Sequence, residues 1–491
     1  MDAISKTDDK PPHIVLVAYP IQSHLNPALQ FVGHLLNSGA HVTLTTTVAG
    51  AKRMNMSGGT TPAGLYFATI SDGYDDGFKP ISSSDKQASD VYMETFKRRG
   101  AETLSDLIAA GTASGVPPYT CVVYTILLSW VADVARRSNL PSALLWIQNA
   151  ALLSIYYHYF NGYGDVIKNC DEKDPNWCLE LPSLPPLHAK DLPSFLAPSN
   201  PYDFAEVSLK EQFDELEKNE NPIVLVNTFD SLEHEIIESL KPYFKVSAVG
   251  PLLPRSFLED VKKENSSGFR VDFFKKSKED YVAWMDTQPN NSIVYVSFGS
   301  ISVISKAQKE EIAAALLECK RPFLWVIRKD SDEEEEEIVS NFEELKEIGM
   351  IVPWCSQVEV LSHQAVGCFV THCGWNSTLE SLTSGVPVVA VPQWTDQLTN
   401  AKMLESVWAT GVRVVVEGTA ANEKVVGRNE LTRCVEAVME SEEMRGNAKR
   451  WRELAFEAIK DGGSSDVNIR EFVNEVWKTS KTRFDAGQEE L

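Results

Sequence analysis

The hydrophobic and polar positions near the start of the chain alternate between strand-like and helix-like patterns. His13–Pro20 is an apolar run of strand length, Ala28–Asn37 has apolar positions at helical spacing, and His41–Thr47 is rich in β-branched residues. Asn26 is the predicted N-cap of the helix, and Pro27 suits its first turn. Strand, helix and strand in this order predict a parallel βαβ unit.

The same alternation runs to about residue 250 and starts again at about residue 291. Further strands are predicted at Cys121–Tyr124, Ser142–Trp146, Ile223–Asn227, Ser292–Ser300, Phe323–Arg328, Met350–Trp354, Cys368–His372 and Val386–Val391. We therefore expect two doubly wound α/β domains, with ligands at the carboxyl ends of their strands. The predicted parts are an N-terminal domain (1–252), a linker (253–290), a C-terminal domain (291–464), and a C-terminal helix and tail (465–491) that pack back on the first domain.

Charge and cysteine usage narrow the classes of partner. The chain has 69 acidic and 46 basic residues, a formal net charge of −23. This argues against nucleic acid or an anionic membrane surface as partner, because both recruit an excess of Lys and Arg. Neither a signal peptide nor a membrane span is predicted. The eight cysteines contain no CxxC pair, so we expect reduced thiols and a cytoplasmic location. We also expect a monomer.

Two clusters of possible metal ligands stand out in the sequence. Cys368 and Cys373 lie near His363 and His372, but these spacings match no usual zinc-ligand pattern. The acidic run that starts at Asp330 is typical of a solvated loop. We therefore predict that the protein uses no metal and no cofactor.

The segment Trp354–Gln397 carries the most specific chemistry. Its turn His372–Ser377 leaves a predicted strand and opens a helix that is predicted to begin near Ser377. Backbone N–H groups and the helix dipole form an anion site there, and Gly374 allows a close approach of the backbone. No Lys or Arg occurs in the segment. The structural alternative is that Ser377–Glu380 is a capping box and that Trp354 and Trp375 are core residues.

This segment resembles, over its whole length, the signature segment of plant secondary-product UDP-glycosyltransferases. The resemblance extends to shorter motifs at His24–Pro27, Asp191–Phe195, Val226–Leu232 and Ser297–Ser300. It implies the GT-B fold, an α/β architecture in which two Rossmann-like doubly wound domains face each other across a cleft. The acceptor would bind to the first domain and the UDP-sugar to the second.

The resemblance implies a role for each position of the donor site. Trp354 would stack on uracil, Cys355 and Gln357 would hold the base and ribose, and Glu380 would accept from the ribose hydroxyls. The pyrophosphate would be surrounded by Ser300, His372, Gly374, Trp375, Asn376 and Ser377.

The sugar and the base catalyst are assigned in the same way. Asp396 and Gln397 would bind sugar hydroxyls, and because Gln at this last position goes mostly with glucose in the family, the expected donor is UDP-glucose. His24 would be the base in an inverting transfer; the alternative is a histidine that merely caps a helix. At Thr125 many relatives have an Asp that stabilises the imidazolium form. Thr cannot offset that charge.

Either another carboxylate replaces the missing Asp, or the acceptor is already acidic, namely a phenol or an ionised carboxylic acid. We favour the acidic acceptor. The segment around Thr125 is also similar to that of anthocyanin and flavonoid 5-O-glucosyltransferases and related formers of glucose esters. The candidate acceptor pocket comprises Ile21, Gln22, Met93, Phe96, Leu127, Leu128, Trp130, Leu152 and Phe195.

Three other functions are alternatives to glucosyl transfer to oxygen. A C-glucosyltransferase acting on an aromatic carbon would use the same base and donor segment. A non-catalytic UDP-sugar-binding protein is favoured only by Thr125. An NAD-dependent dehydrogenase is excluded because the Gly-x-Gly-x-x-Gly motif is missing after the first strand.

Overall fold

The computed structural model describes most of the chain in two parallel-sheet units. The described residues are 11–54, 61–78, 86–111, 117–200, 203–254, 281–300, 302, 304–328, 339–416 and 425–489. Most of the predicted linker and the acidic run that starts at Asp330 lie outside these residues. Within them, no helix combines the length and the apolar character that a membrane span requires.

The first sheet has seven parallel strands in the order β3-β2-β1-β4-β5-β6-β7. The strands are β1 (His13–Val17), β2 (His41–Thr47), β3 (Leu65–Ile70), β4 (Cys121–Thr125), β5 (Ser142–Trp146), β6 (Ile223–Val226) and β7 (Lys245–Ala248). Every residue of the two central strands β1 and β4 is buried, because helices cover both faces of the sheet. The predicted strands of this half are confirmed with small shifts of their ends.

Helices connect these strands on both sides of the sheet. They are α1 (Gln22–Asn37), α2 (Val48–Arg53), α3 (Lys86–Gly111), α4 (Trp130–Arg137), α5 (Ala150–His158), α6 (Gly164–Lys168), α7 (Asp203–Glu217) and α8 (Asp230–Leu240). Two single 3₁₀ turns, Ala189–Asp191 and Ser194–Leu196, interrupt the long connection before α7.

The start of α1 differs from the prediction. Its N-cap is Ile21 rather than Asn26, and Pro27 lies inside the helix. A proline there removes the N–H that would bond the carbonyl four residues earlier, which is that of Ser23. His24 therefore lies in the first turn of the helix and not in a loop before it.

The second sheet has six parallel strands in the order β10-β9-β8-β11-β12-β13. They are β8 (Ile293–Ser297), β9 (Phe323–Val326), β10 (Met350–Val352), β11 (Val366–Thr371), β12 (Val388–Ala390) and β13 (Gly411–Arg413). The helices of this half are α9 (Tyr281–Asp286), α10 (Lys306–Cys319), α11 (Phe342–Ile348), α12 (Gln357–Leu361), α13 (Trp375–Ser384), α14 (Gln397–Ser406), α15 (Arg428–Glu440) and α16 (Glu442–Ile459).

The last helix, α17 (Ser464–Glu489), lies against the first sheet. The Ser465 hydroxyl donates to the Gly250 carbonyl at 2.5 Å, and Asn468 Nδ2 donates to the Ala248 carbonyl at 2.9 Å. The chain thus crosses back from the second unit to the end of β7.

Candidate active site

Both sheets carry their sequence motifs at the point where the strand order reverses. In the first sheet β1 and β4 are neighbours; α1 follows β1, and Thr125 ends β4. In the second sheet β8 and β11 are neighbours; Ser300 follows β8, and His372 follows β11. Connections leave such neighbouring strands toward opposite faces and open a crevice between them, where α/β proteins bind ligands.

His24 is buried in the first turn of α1 beside Thr125. Its Nδ1 lies 3.3 Å from Thr125 Oγ1, which also accepts the Tyr19 N–H at 3.0 Å. Burial lowers the pKa of His24 from 6.5 to about 3, and the N-terminus of the helix acts in the same direction. The imidazole is therefore neutral at pH 7 and keeps one unprotonated nitrogen.

Thr125 controls the tautomer of His24 only weakly. If the Nδ1–H group of His24 donates to Thr125 Oγ1, the Nε2 atom has a free lone pair; if the hydroxyl donates to Nδ1, Nε2 carries the proton. A carboxylate at position 125 would accept only and would enforce the first arrangement.

The start of α13 contacts the first turn of α1 directly. Asn376 Nδ2 donates to the Ser23 carbonyl at 3.1 Å, the carbonyl that Pro27 leaves without its usual helical donor. Trp375 is buried, and its Nε1 donates to the Asn227 carbonyl at 2.8 Å. His24 is thus adjacent in sequence to a residue that contacts the signature segment.

Helix α13 begins two residues earlier than predicted, at Trp375 with Gly374 as N-cap. Ser377 is therefore inside the helix and is not the N-cap that the capping-box interpretation requires. Its hydroxyl accepts from Gln357 Nε2 at 2.8 Å, and the Glu380 carboxylate accepts from the same nitrogen at 2.6 Å. The capping-box alternative is wrong, because Ser377 and Glu380 are joined through Gln357 instead.

Gln357 connects these residues to a tyrosine that the sequence interpretation missed. The Tyr295 hydroxyl on β8 lies 3.3 Å from Gln357 Oε1 and 3.5 Å from Cys355 Sγ. Burial raises the pKa of Glu380 to about 7 and that of the Cys355 thiol to about 12. At pH 7 the Glu380 carboxyl group is therefore close to its titration midpoint, and the Cys355 thiol is protonated. The partly exposed ring of Trp354 lies one residue before Cys355.

The His372 ring lies between two glycines, Gly299 and Gly374. A Cβ atom at either position would come within 2.7 Å of a ring atom, so both glycines are needed for this placement. Burial lowers the pKa of His372 to about 4. A neutral imidazole therefore lies beside the N-terminus of α13, where the backbone N–H groups favour an anion.

Arg328, outside the signature segment, supports the loop after β8. It donates to the backbone carbonyls of Ser300 and Ser302. The sequence interpretation missed this cation because Arg328 follows β9 and is distant from the motif in sequence. Among the described residues, no three His, Cys, Asp or Glu side chains are grouped as metal ligands.

Asp396 is buried and hydrogen-bonded on both oxygens. Oδ2 accepts from the Trp375 N–H at 3.1 Å and from Asn400 Nδ2 at 2.8 Å, and Oδ1 accepts from the Thr395 hydroxyl at 2.6 Å. Gln397 Oε1 accepts from two backbone N–H groups of its own loop, at Gln393 and Trp394. Asp396 therefore also caps α13, a role that the sequence did not indicate.

The nine candidate acceptor residues differ in burial. Leu128 and Leu152 are 0% exposed and Phe96 is 1% exposed, so they present no surface to solvent in this structure. Trp130 is also buried. The partly exposed members are Ile21, Gln22, Met93, Leu127 and Phe195. Four of the nine candidates are therefore buried, and five are partly exposed.

Comparisons with known proteins show the family of the chain. The family model described as UDP-glucoronosyl and UDP-glucosyl transferase matches residues 207–455, just over half of the chain. The chain belongs to the UDP-glycosyltransferase family. It is an enzyme of the transferase class with the GT-B fold, as the resemblance of the signature segment predicted.

Three members of the family show how far the similarity extends. The chain is 50% identical to a chloroplastic crocetin glucosyltransferase of Gardenia jasminoides, over 95% of this chain and 98% of the relative. It is 46% identical to anthocyanidin 3-O-glucoside 5-O-glucosyltransferase 1 of Perilla frutescens, over 94% and 98%. The crystal structure of Os79 from O. sativa in complex with UDP superposes with a TM-score of 0.77 at 32% identity, covering 94% of this chain and 100% of Os79.

Proposed function

We propose that this UDP-glycosyltransferase transfers glucose from UDP-glucose, with inversion, to a phenolic hydroxyl or a carboxylate of a small plant metabolite. The observation that carries the proposal is the contact between the start of α13 and the first turn of α1. This contact supports the proposal because His24 is adjacent in sequence to Ser23, and the start of α13 is where we propose that the pyrophosphate binds. The product is a β-glucoside, because attack occurs on the face opposite the α-linked UDP.

The donor half of the site is suited to a nucleoside diphosphate sugar. The N–H groups at the start of α13 and the His372 ring provide for the pyrophosphate, and Glu380 accepts from the ribose hydroxyls. Asp396 and Gln397 bind the hydroxyl groups of the glucose. In this proposal no metal or cofactor takes part, since helix amides do the work that a cation would do. The UDP bound to the 32% identical Os79 supports the assignment of the donor class.

The basicity of His24 argues for an acidic acceptor. As the acceptor oxygen attacks the anomeric carbon, its proton moves to Nε2, and UDP leaves with the bonding electrons. A base with a pKa near 3 accepts a proton poorly, so the acceptor must give it up readily. A phenol, with a pKa of about 10, does this far better than an aliphatic alcohol, and a carboxylic acid is already ionised. The name of the Perilla relative, a 5-O-glucosyltransferase of an anthocyanidin glucoside, fits this preference.

The acceptor pocket, location and assembly complete the proposal. We place the acceptor against Ile21, Gln22, Met93, Leu127 and Phe195, near His24. The protein acts as a monomer in the cytoplasm, binding no nucleic acid. The eight unpaired cysteines support a reducing compartment. A fluorescent fusion of the full chain tests the location; accumulation in chloroplasts, as the name of the Gardenia relative specifies for that protein, would contradict it.

An acceptor screen tests the function. Purified protein and UDP-glucose are incubated with phenols, flavonoids and carboxylic acids, and products are treated with acid, alkali and β-glucosidase. We expect O-β-glucosides that β-glucosidase cleaves, or esters that alkali cleaves. A product that survives all three treatments would show C-glucosylation. Absence of any product, with UDP-glucose still bound, would indicate a binding protein.

His24→Ala tests the base assignment. With a phenolic acceptor, we expect transfer to fall by at least about 100-fold, because the general base is lost, while the Kd for UDP measured by calorimetry stays within about twofold. Near-normal turnover by the variant would show that His24 is only a structural residue.

A further inference from the structure

The motif Asp191–Phe195, which the sequence singled out without a function, lies against the loop that carries Asp396 and Gln397. The Ser194 N–H donates to the Thr395 carbonyl at 3.0 Å, and the Thr395 N–H donates to Ser194 Oγ at 2.7 Å. This reciprocal pair joins the first domain to the loop one residue before Asp396.

Thr395 needs this support. Its φ of +56° lies in the left-handed region, which is costly for a β-branched residue and persists only where surrounding contacts enforce it. The two hydrogen bonds to Ser194 provide that restraint. Because the Thr395 hydroxyl in turn donates to Asp396 Oδ1 at 2.6 Å, the orientation of the carboxylate depends on Ser194.

A second connection reaches the same carboxylate from α5. Asn149, the N-cap of α5, donates from Nδ2 to Asn400 Oδ1 at 2.8 Å, and Asn400 Nδ2 donates to Asp396 Oδ2 at 2.8 Å. Both asparagines are 0% exposed. Because water does not reach these amides, breaking the chain of bonds leaves unpaired buried groups.

A third connection fixes α14 behind the loop. The backbone carbonyl of Asp191 accepts from the Thr399 hydroxyl at 2.7 Å. The side-chain carboxylate of Asp191 forms an ion pair with Arg413 at 2.7 Å. The two charged side chains are 1% and 12% exposed. The first domain therefore holds the loop and the first turn of α14 from two sides.

We propose that Asn149, Asp191 and Ser194 form an interdomain clamp that positions Asp396 and Gln397, so that the acceptor domain takes part in selecting the donor sugar. The inference rests on the proposed function, in which these two side chains contact the sugar. Glu380 and Gln357, which serve the ribose and base, make no described contact with the clamp. Ser194 acts through the Thr395 hydroxyl on Oδ1 of Asp396, whereas the cap on α13 uses Oδ2. Loosening the contact at Ser194 should therefore weaken recognition of the sugar more than recognition of UDP.

Ser194→Ala tests the clamp, since it removes one hydrogen-bond acceptor without changing charge. Dissociation constants of the full-length protein are measured by calorimetry for UDP, UDP-glucose and UDP-galactose. We expect the preference for UDP-glucose over UDP-galactose to fall about fivefold, roughly the worth of one hydrogen bond, and the Kd for UDP to stay within about twofold. Ser194→Thr, which keeps the hydroxyl, should retain the wild-type preference.

Ser465→Ala is the matched control, because it removes an interdomain hydroxyl contact far from the loop in sequence. It should leave all three dissociation constants unchanged. Thr395→Gly is a second test that relieves the strained φ and removes the hydroxyl; the same loss of preference is expected. Melting temperatures of all variants establish that they are folded.

Two outcomes would overturn the clamp. An equal loss of affinity for UDP and both sugars would show a purely structural contact, and an unchanged sugar preference would show that Ser194 does not act on the sugar. Failure of the proposed function is a different result: wild-type protein would bind UDP-glucose but transfer glucose to no acceptor, while the binding preferences would still report on the clamp.

Discussion

At the scale of single residues, burial sets the chemistry of the site. His24 and His372 are both kept neutral by desolvation, and Glu380 is pushed toward protonation by the same cause. The residue that departs from the family pattern, Thr125, offers His24 a hydrogen bond without a charge. In the proposed mechanism the base is therefore weak, and transfer depends on the acidity of the acceptor.

Thr125→Asp should strengthen that base. A carboxylate beside Nδ1 favours the imidazolium form and raises the pKa of His24 by about one to three units. Because the His24 imidazolium then persists to higher pH, the fall in kcat/KM for the acceptor on the acid side should occur at higher pH. Because His24 is then a stronger base, less acidic hydroxyl groups should also become acceptors. The pH profile is measured at saturating UDP-glucose. Thr125→Val, which adds no charge, should not move the limb upward; identical limbs in the Asp variant and wild type would contradict the assignment.

Glu380 should make donor binding pH-dependent. In the unliganded protein its pKa is about 7, and ribose hydroxyls that donate to the carboxylate favour the ionised form. UDP binding should therefore release a proton, and affinity should rise with pH up to about 7, by at most about tenfold per pH unit. Calorimetry between pH 5 and 8 measures this.

Glu380→Gln is the control for that titration, because proton binding by UDP and by His372 also contributes to the pH dependence of UDP binding. The variant should bind UDP more weakly at pH 8 and should lose the component of the pH dependence that belongs to Glu380. If wild type and variant give parallel curves of Kd against pH, Glu380 does not contact the ribose.

At the scale of elements, two helix starts define the active site. The first turn of α1 contains His24, and Pro27 within the helix leaves the Ser23 carbonyl available to Asn376 of α13. The first turn of α13 is capped by Asp396 and lies beside His372. Each helix start therefore depends on side chains from other elements, and the two contact each other directly.

Gly374→Ala should damage the start of α13 by steric means alone. Gly374 has φ −59° and ψ 146°, which alanine adopts readily, but the new Cβ would lie 2.7 Å from His372 Nε2. The ring must move out of the predicted pyrophosphate site, and we expect UDP affinity to fall about tenfold, roughly the loss of one charge-assisted hydrogen bond. Gly446→Ala, where no atom lies within 4 Å of the new Cβ, should leave UDP binding unchanged. Equal UDP affinity of the Gly374 variant and wild type would contradict this role of His372.

At the scale of the whole molecule, the domains are joined by buried polar contacts as well as by the returning helix α17. Asn149 and Asn400 are 251 positions apart in the chain, and Ser23 and Asn376 are 353 positions apart. The proposed site for an anionic donor would use backbone amides and a neutral histidine, His372, and the Arg328 guanidinium donates to the loop at its border.

Arg413→Met should reveal how strongly the domains are coupled. The change removes the partner of the buried Asp191 carboxylate, and we expect a loss of about 3 kcal/mol in the free energy of unfolding. Urea denaturation followed by tryptophan fluorescence measures it. Adding Asp191→Asn should recover part of the loss, since no buried charge then lacks a partner. A loss below about 1 kcal/mol would instead show that water replaces Arg413.

Much of the fold was predictable because its signals are local in sequence. Apolar or β-branched runs of strand length marked strands in both sheets, whereas β3, β7 and β13 were not predicted. The starts of α1 and α13 were predicted too far along the chain, because Pro27 and Ser377 are residue types that are common at helix starts. The actual starts of these helices depend on contacts with other elements. The domain boundaries at 252 and 290 stay predictions, since residues 255–280 lie outside the described part of the chain.

The sequence by itself indicated the family and the GT-B fold and predicted the chemical character of the donor site, because one continuous segment contains both the motif and the helix start that would bind the anion. Only the tertiary structure decided what surrounds His24, that Tyr295 supports Gln357, and which candidate acceptor residues are fully buried. The interdomain clamp also appeared only there. These features depend on hydrogen bonds and burial between positions that lie 62 to 251 residues apart, and no periodicity or spacing along the chain encodes which of those positions meet.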